Sequence, residues 1–132
     1  MPNISGASHV AFTDTDVERS CEWYCNLLGL GVVGSGDDDD VSYRVLANPT
    51  SGWVLGLRQN HRAPGDPFDE FRTGLDHFAF GVSDRAELEA WEAELRNRGD
   101  IPFTPISETP SASMLIFRDP DGIQLELWLA SG

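Results

Sequence analysis

The chain alternates between short runs in which large and small residues change places every second position and longer runs whose apolar residues recur every three to four. From His9 to Phe12 the bulky Val10 and Phe12 share one face, leaving His9, Ala11 and Thr13 on the other, which is the pattern of a strand. A helix is predicted next: Thr15 and Glu18 form a capping-box pattern, Val17, Cys21, Tyr24 and Leu28 make the apolar stripe, and Gly29 and Gly31 end it. Leu30–Val33, Val41–Ala47 and Trp53–Gln59 then read as strands separated by turn residues. Four successive aspartates, Asp37–Asp40, cannot pack together and mark a solvated loop.

The same order returns in the second half. His77–Val82 reads as a strand with Phe78, Phe80 and Val82 on one face and His77, Ala79 and Gly81 on the other. A helix follows, with Asp84 and Glu87 in the capping positions, a stripe of Leu88, Trp91 and Leu95, and Gly99 at its end. Strands are expected over Pro102–Ile106, Met114–Phe117 and Ile123–Leu129. Laid over one another, the halves match His9 with His77, Phe12 with Phe80, Asp16 with Asp84 and Trp23 with Trp91. Asn48-Pro-Thr-Ser-Gly52 falls on Asp119-Pro-Asp-Gly122, so that Gly56 falls on Glu126. The expected fold is therefore α+β: two βαβββ modules in tandem forming curved mixed sheets around a cleft. Residues 1–132 form one domain in this reading, with module one at about 5–60, a Pro/Gly-rich linker at about 61–73 and module two at about 74–130.

Composition narrows the partners. A hydrophobic fraction of 40% can build a core, and 22 acidic against 9 basic residues give a formal charge of −13. That charge opposes binding to nucleic acid or to an anionic membrane. No apolar run approaches the ~20 residues of a membrane span, and the start of the chain lacks the pattern of a secretory signal, so the cytoplasm is the expected location. Cys21 and Cys25 fit a packed helical stripe better than a redox or metal site.

Alternation on the last strand points Ile123, Leu125 and Leu127 at the helix layer and Gln124, Glu126 and Trp128 into the cleft. A carboxylate flanked by Leu125, Leu127 and Trp128 is costly to bury without a partner. Two inward histidines supply one, and His9, His77 and Glu126 are the expected ligands of a divalent metal. Fe(II) or Mn(II) suits two imidazoles and a carboxylate best, with Zn and Ni possible. Arg58 and Val54 are expected on the wall beside Gly56, with Arg44 and Ser42 on the adjacent strand. Arg58, Arg44, Trp53, Trp128 and Gln124 are the candidate substrate contacts, and Tyr43, Phe68 and Phe71 further aromatic candidates. His61, in the linker, is expected to be solvated, and no catalytic residue is assigned.

The segments SHVAFTDTDVERSCEWYCNLLGL, GLDHFAFGV and FRDPDGIQLELW resemble the vicinal oxygen chelate superfamily, which includes glyoxalase I, fosfomycin-resistance thiol transferases, extradiol dioxygenases and bleomycin-resistance proteins. The resemblance implies ligands at His9, Gly56, His77 and Glu126. Because Gly56 has no side chain, it implies a three-ligand site more like the fosfomycin-resistance enzymes and the dioxygenases than glyoxalase I or methylmalonyl-CoA epimerase. It implies a metal-dependent enzyme acting on a small molecule with vicinal oxygens. The alternative is metal-free sequestration of an antibiotic. It also implies a homodimer, with His9 joining His77 and Glu126 within one chain or across two.

Overall fold

The computed structural model describes residues 1–63 and 65–132; Pro64, part of the expected linker, lies outside the described residues. The chain divides into two compact units, Met1–Asp66 and Pro67–Gly132. The first contains β1 (Val10–Thr13), α1 (Val17–Leu28), β2 (Gly31–Asp37), β3 (Val41–Ala47) and β4 (Val54–Asn60). The second contains β5 (Phe78–Gly81), α2 (Arg85–Arg98), β6 (Ser107–Glu108), β7 (Ala112–Arg118) and β8 (Gln124–Ala130). Both sheets are four-stranded and mixed, ordered β1-β4-β3-β2 and β5-β8-β7-β6, with the parallel pair at β1/β4 and β5/β8. This is the α+β architecture of two βαβββ modules in tandem. Among the described residues no helix is long and apolar enough to cross a membrane.

Register makes the repeat concrete. Ala11 pairs with Gly56 across β1 and β4, and Ala79 pairs with Glu126 across β5 and β8. Gly56 and Glu126 thus occupy the same place in their modules. Each β3/β4-type hairpin turns on the same device: Asn48 Oδ1 accepts from the N–H groups of Thr50 and Ser51, and Asp119 Oδ1 from those of Asp121 and Ile123. Gly52 (φ 73°) and Gly122 (φ 79°) then supply the left-handed step that a side chain would resist.

The sheets bury one face each. Leu46, Leu55 and Leu57 in the first, and Leu115, Leu125 and Leu127 in the second, are almost wholly removed from solvent. Each such leucine contributes about 1.5–3 kcal/mol relative to exposure. Leu88 and Leu95 carry the buried stripe of α2, while Trp91 is only half-buried. On α1 the stripe is Val17, Cys21, Tyr24 and Leu27, with Leu28 turned partly outward.

Several boundaries differ from the sequence reading, among them β2, which runs on to Asp37, a residue expected in the solvated loop. Asp16, not Thr15, caps α1 by accepting from the Arg19 N–H, and Thr15 Oγ1 instead accepts from the Arg19 guanidinium. A carboxylate directly before the first turn outcompetes the hydroxyl one residue earlier. Pro102–Ile106 is not a strand. Phe103 makes an isolated bridge to Phe117, and the edge strand is only Ser107–Glu108. Pro102 and Pro105 lack the N–H a ladder needs, and Thr104 Oγ1 accepts from Ile116 N–H in place of a backbone carbonyl. The proline-free equivalent in the first module, β2, runs seven residues with a bulge between Val32 and Gly34 and leaves Val32 and Val33 exposed on the sheet edge. Finally, β1 and β5 begin one residue after His9 and His77, so both histidines sit at strand mouths.

Candidate metal-binding site

In the second unit β5 and β8 bring His77 and Glu126 together. The parallel register sets Ala79 beside Glu126, which brings the residue just before β5 within reach of that carboxylate. His77 Nε2 lies 3.5 Å from Glu126 Oε2. Glu126 is 3% exposed, whereas the His77 side chain is 38% exposed, so the pair joins a buried anion to an open imidazole. Glu126 Oε2 is buried and accepts no hydrogen bond. An unpartnered buried carboxylate oxygen costs about 1–3 kcal/mol or more, and such a group calls for a cation or a donor.

The other face of the imidazole is fixed. Asp76 Oδ1 lies 2.6 Å from His77 Nδ1. A carboxylate can only accept, so the ring proton belongs on Nδ1, and in the neutral ring the Nε2 lone pair turns toward Glu126. A carboxylate behind a histidine is the arrangement that orients a metal-ligating imidazole. In the first unit His9 has a related partner: Ser8 Oγ lies 3.0 Å from its Nδ1. His9 is exposed. Among the described residues, no group of three or more His, Cys, Asp or Glu side chains is gathered so as to hold a metal ion. The pair His77–Glu126 fits two ligands of a divalent ion by its donor types and by its orphaned oxygen.

The expected substrate contacts separate into two groups. Trp128 is half-buried on β8, opposite Met114 and the side-chain-free Gly81, and by alternation it shares the Glu126 face. Arg58 is exposed opposite Thr13 and Tyr43, and its guanidinium lies over the Tyr43 ring, 6.0 Å from the centroid. Trp53 is half-buried immediately before β4. These three remain accessible on their own units.

Arg44 and Gln124 are engaged elsewhere. Arg44 pairs across the sheet with the buried Leu57, which turns it to the helix side rather than to the side of Gly56 and Arg58. There it is bonded to Glu18 of α1 and to Asp37, 3.1 Å away, and these carboxylates hold the guanidinium above its ordinary range against the opposing effect of burial. Ser42, on the same face as Arg44, is buried and bonded to His61 Nε2 at 2.8 Å. The inward placement expected for Arg44 and Ser42 is corrected by this register. Gln124 lies on the Glu126 face, but its amide is spent: Oε1 accepts from Arg118 at 3.1 Å and Nε2 faces Glu126 Oε1 at 3.5 Å. Phe68 is half-buried, while Phe71 is almost fully exposed.

Sequence reasoning missed Asp76, Ser8, Glu70 and Arg118. The first two were readable as polar residues directly before each histidine. Glu70 and Arg118 lie 48 positions apart and only the fold joins them.

Comparison with known proteins agrees with this architecture. The family model described as Glyoxalase/Bleomycin resistance protein/Dioxygenase superfamily matches residues 6–127. A solved glyoxylase/bleomycin resistance protein/dioxygenase domain from Frankia sp. EAN1pec is 37% identical, superposes with a TM-score of 0.89, and the match covers 98% of this chain and 100% of that one. The metallothiol transferase FosB of Staphylococcus epidermidis is 26% identical over 97% of this chain and 86% of its own length. A putative lactoylglutathione lyase of Brassica oleracea var. gemmifera is 27% identical over 90% of this chain, which spans only 42% of that relative.

Proposed function

Because the chain belongs to the glyoxalase/bleomycin resistance protein/dioxygenase superfamily, we propose that it is a metal-dependent enzyme acting on a small molecule that presents two neighbouring oxygens. The observation that carries this reading is the buried, unpartnered Oε2 of Glu126 facing His77 Nε2. His77 and Glu126 would hold a divalent ion, with His9 as third ligand, contributed within one chain or across a cytoplasmic homodimer. Fe(II) or Mn(II) best suits this donor set. When bound, the ion supplies Lewis-acid polarisation of the substrate oxygens.

The chain's own residues have separable tasks. Asp76 keeps the His77 proton on Nδ1 and so keeps Nε2 free to bind. Gly56, at the place in module one that Glu126 holds in module two, has no side chain and contributes no ligand. Trp128 offers an apolar platform beside Glu126, and Arg58 offers a cation to an anionic group of the substrate. The names of the relatives, a lyase and a metallothiol transferase, together with the dioxygenases of the superfamily name, define the candidate reaction classes.

Metal analysis of protein purified without chelator is the direct test, followed by a screen of diols, catechols and epoxides with the loaded protein. Stoichiometric Fe or Mn, lost in Glu126→Gln, supports the reading. Neither bound metal nor uptake on titration overturns it. If His77→Ala then left binding of a cationic antibiotic unchanged, sequestration of the bleomycin-resistance type would replace it, consistent with the charge of −13.

A further inference from the structure

One group of charged and polar side chains is not absorbed by the metal-binding reading. It starts in the segment before β5. Both carboxylate oxygens of Glu70 accept from the Arg118 guanidinium, at 2.9 and 3.2 Å. Arg118 ends β7 and also donates to the Gly122 carbonyl at 3.0 Å and to Gln124 Oε1 at 3.1 Å. Arg118 and Gln124 are direct cross-strand partners, so they share a face of the sheet, and Glu126 follows two residues later on that face. The Gln124 amide nitrogen then points to Glu126 Oε1, and Oε2 of the same carboxylate points to His77.

This chain has a direction. An isolated glutamine side chain can present either its oxygen or its nitrogen to a neighbour. Here Arg118 can only donate, so it must meet the Gln124 oxygen, and the nitrogen is left facing Glu126. Arg118 cannot swing away, because Glu70 grips it with a two-point fork while the Gly122 carbonyl holds another donor. The charge pair is partly buried on both sides, which weakens solvent competition. Each link therefore fixes the orientation of the next.

We propose that Glu70, Arg118 and Gln124 are positioning residues, a relay that holds one oxygen of Glu126 and so keeps the other turned to His77. Its functional meaning rests on Glu126 being a metal ligand, but the positioning itself belongs to the metal-free protein. The competing role is a staple: Glu70 and Arg118 would tie the segment before β5 to the sheet and do nothing to Glu126.

The test uses the full chain with side-chain carboxyl carbons labelled, the Glu126 resonance being assigned from Glu126→Gln. In metal-free protein, Gln124→Leu is expected to shift or broaden the Glu126 carboxyl signal, and Glu70→Gln to move it the same way by less. Mn(II) affinity, measured by titration, is expected to fall about tenfold in Gln124→Leu, the lower end for loss of a group behind a ligand. Glu70→Asp, which can keep the fork, should restore most of the change. Adding Glu70→Gln to Gln124→Leu should add little, because both break one chain. If both variants melt earlier but leave the Glu126 signal unmoved, the relay is overturned and the staple stands. If the native protein takes up no Mn(II), the metal reading fails while the metal-free carboxyl signal still decides the relay. Glu70, far from the carboxylate in sequence, provides that answer even if Gln124→Leu does not fold.

Discussion

The two modules share a topology, a turn device and a histidine at the mouth of the first strand, yet they differ at one register position. Where β8 carries Glu126 beside Ala79, β4 carries Gly56 beside Ala11. The glycine does not serve a strained backbone, since Gly56 is not among the positive-φ glycines. Its surroundings are nonetheless close: a Cβ there would stand 3.1 Å from the Ala11 Cβ. One module has thus packed its parallel strand pair tightly around nothing, while the other has opened the same place for a buried carboxylate and built Asp76, Gln124, Arg118 and Glu70 around it. A duplicated scaffold can keep its folding rules and specialise one position.

The largest effect that tests this contrast is at Glu126. Glu126→Leu should abolish metal uptake and yet raise the thermal midpoint of the metal-free protein, because a buried charge met only by the Gln124 amide at 3.5 Å and by the open His77 ring gives way to an apolar group, a gain of about 1–4 kcal/mol. Differential scanning calorimetry of metal-free samples measures it, and a lowered midpoint would mean that the carboxylate contributes to stability without an ion. Next in size is the reciprocal change. Gly56→Glu should cost about 1–3 kcal/mol through crowding against Ala11, and Ala11→Gly in the same chain should recover part of it. Urea titration of the single and double variants reads the difference. A costless Gly56→Glu would show that packing does not distinguish the modules.

A smaller effect separates the polar networks through pH. Arg118, and then a backbone N–H, holds the Glu70 carboxyl below its ordinary 4.5. A depressed carboxyl contributes stability above the unfolded value that is lost as pH falls through the folded one. Glu70→Gln should therefore lower stability at neutral pH and flatten the acid limb, the variant and native curves converging as pH falls well below about 4.5. In the first module Asp37, lowered by Ser42 and then Arg44, should behave alike in Asp37→Asn. The smallest expected signal is at the helix stripe. Burial first, then Cys25, pushes the Cys21 thiol up to about 11, so a thiol reagent at neutral pH should label Cys25 first and Cys21 only on unfolding.

Much of the fold was legible because the code that specifies it is local. The histidine-led strands, the glycine stops at Gly29 and Gly99 and the Asp84 cap each depend on neighbours in sequence. So did the face of Glu126, since alternation needs only the strand. What failed had a longer reach. The side on which Arg44 falls depends on pairing register with Leu57, which a strand pattern alone does not contain. Pro102 and Pro105 are local signals against a strand, and they outweigh the strand-like character of the segment around them. The hold of Arg118 on Gln124, and of Glu70 on Arg118, comes from chain segments that only the folded sheet brings together.

That shortened edge has a further consequence for how copies of the molecule tolerate one another. An open strand edge is a template for intermolecular strand addition. The second sheet ends in a two-residue edge strand preceded by prolines, which offers little ladder to a newcomer. The first ends in β2, seven residues long with Val32 and Val33 bare, and is guarded differently: a bulge interrupts its register and a cluster of aspartates stands at its far end. Like charges repel an approaching copy only while they are ionised and unscreened. Solubility should therefore be lost first in acid or high salt, and should be lost through β2.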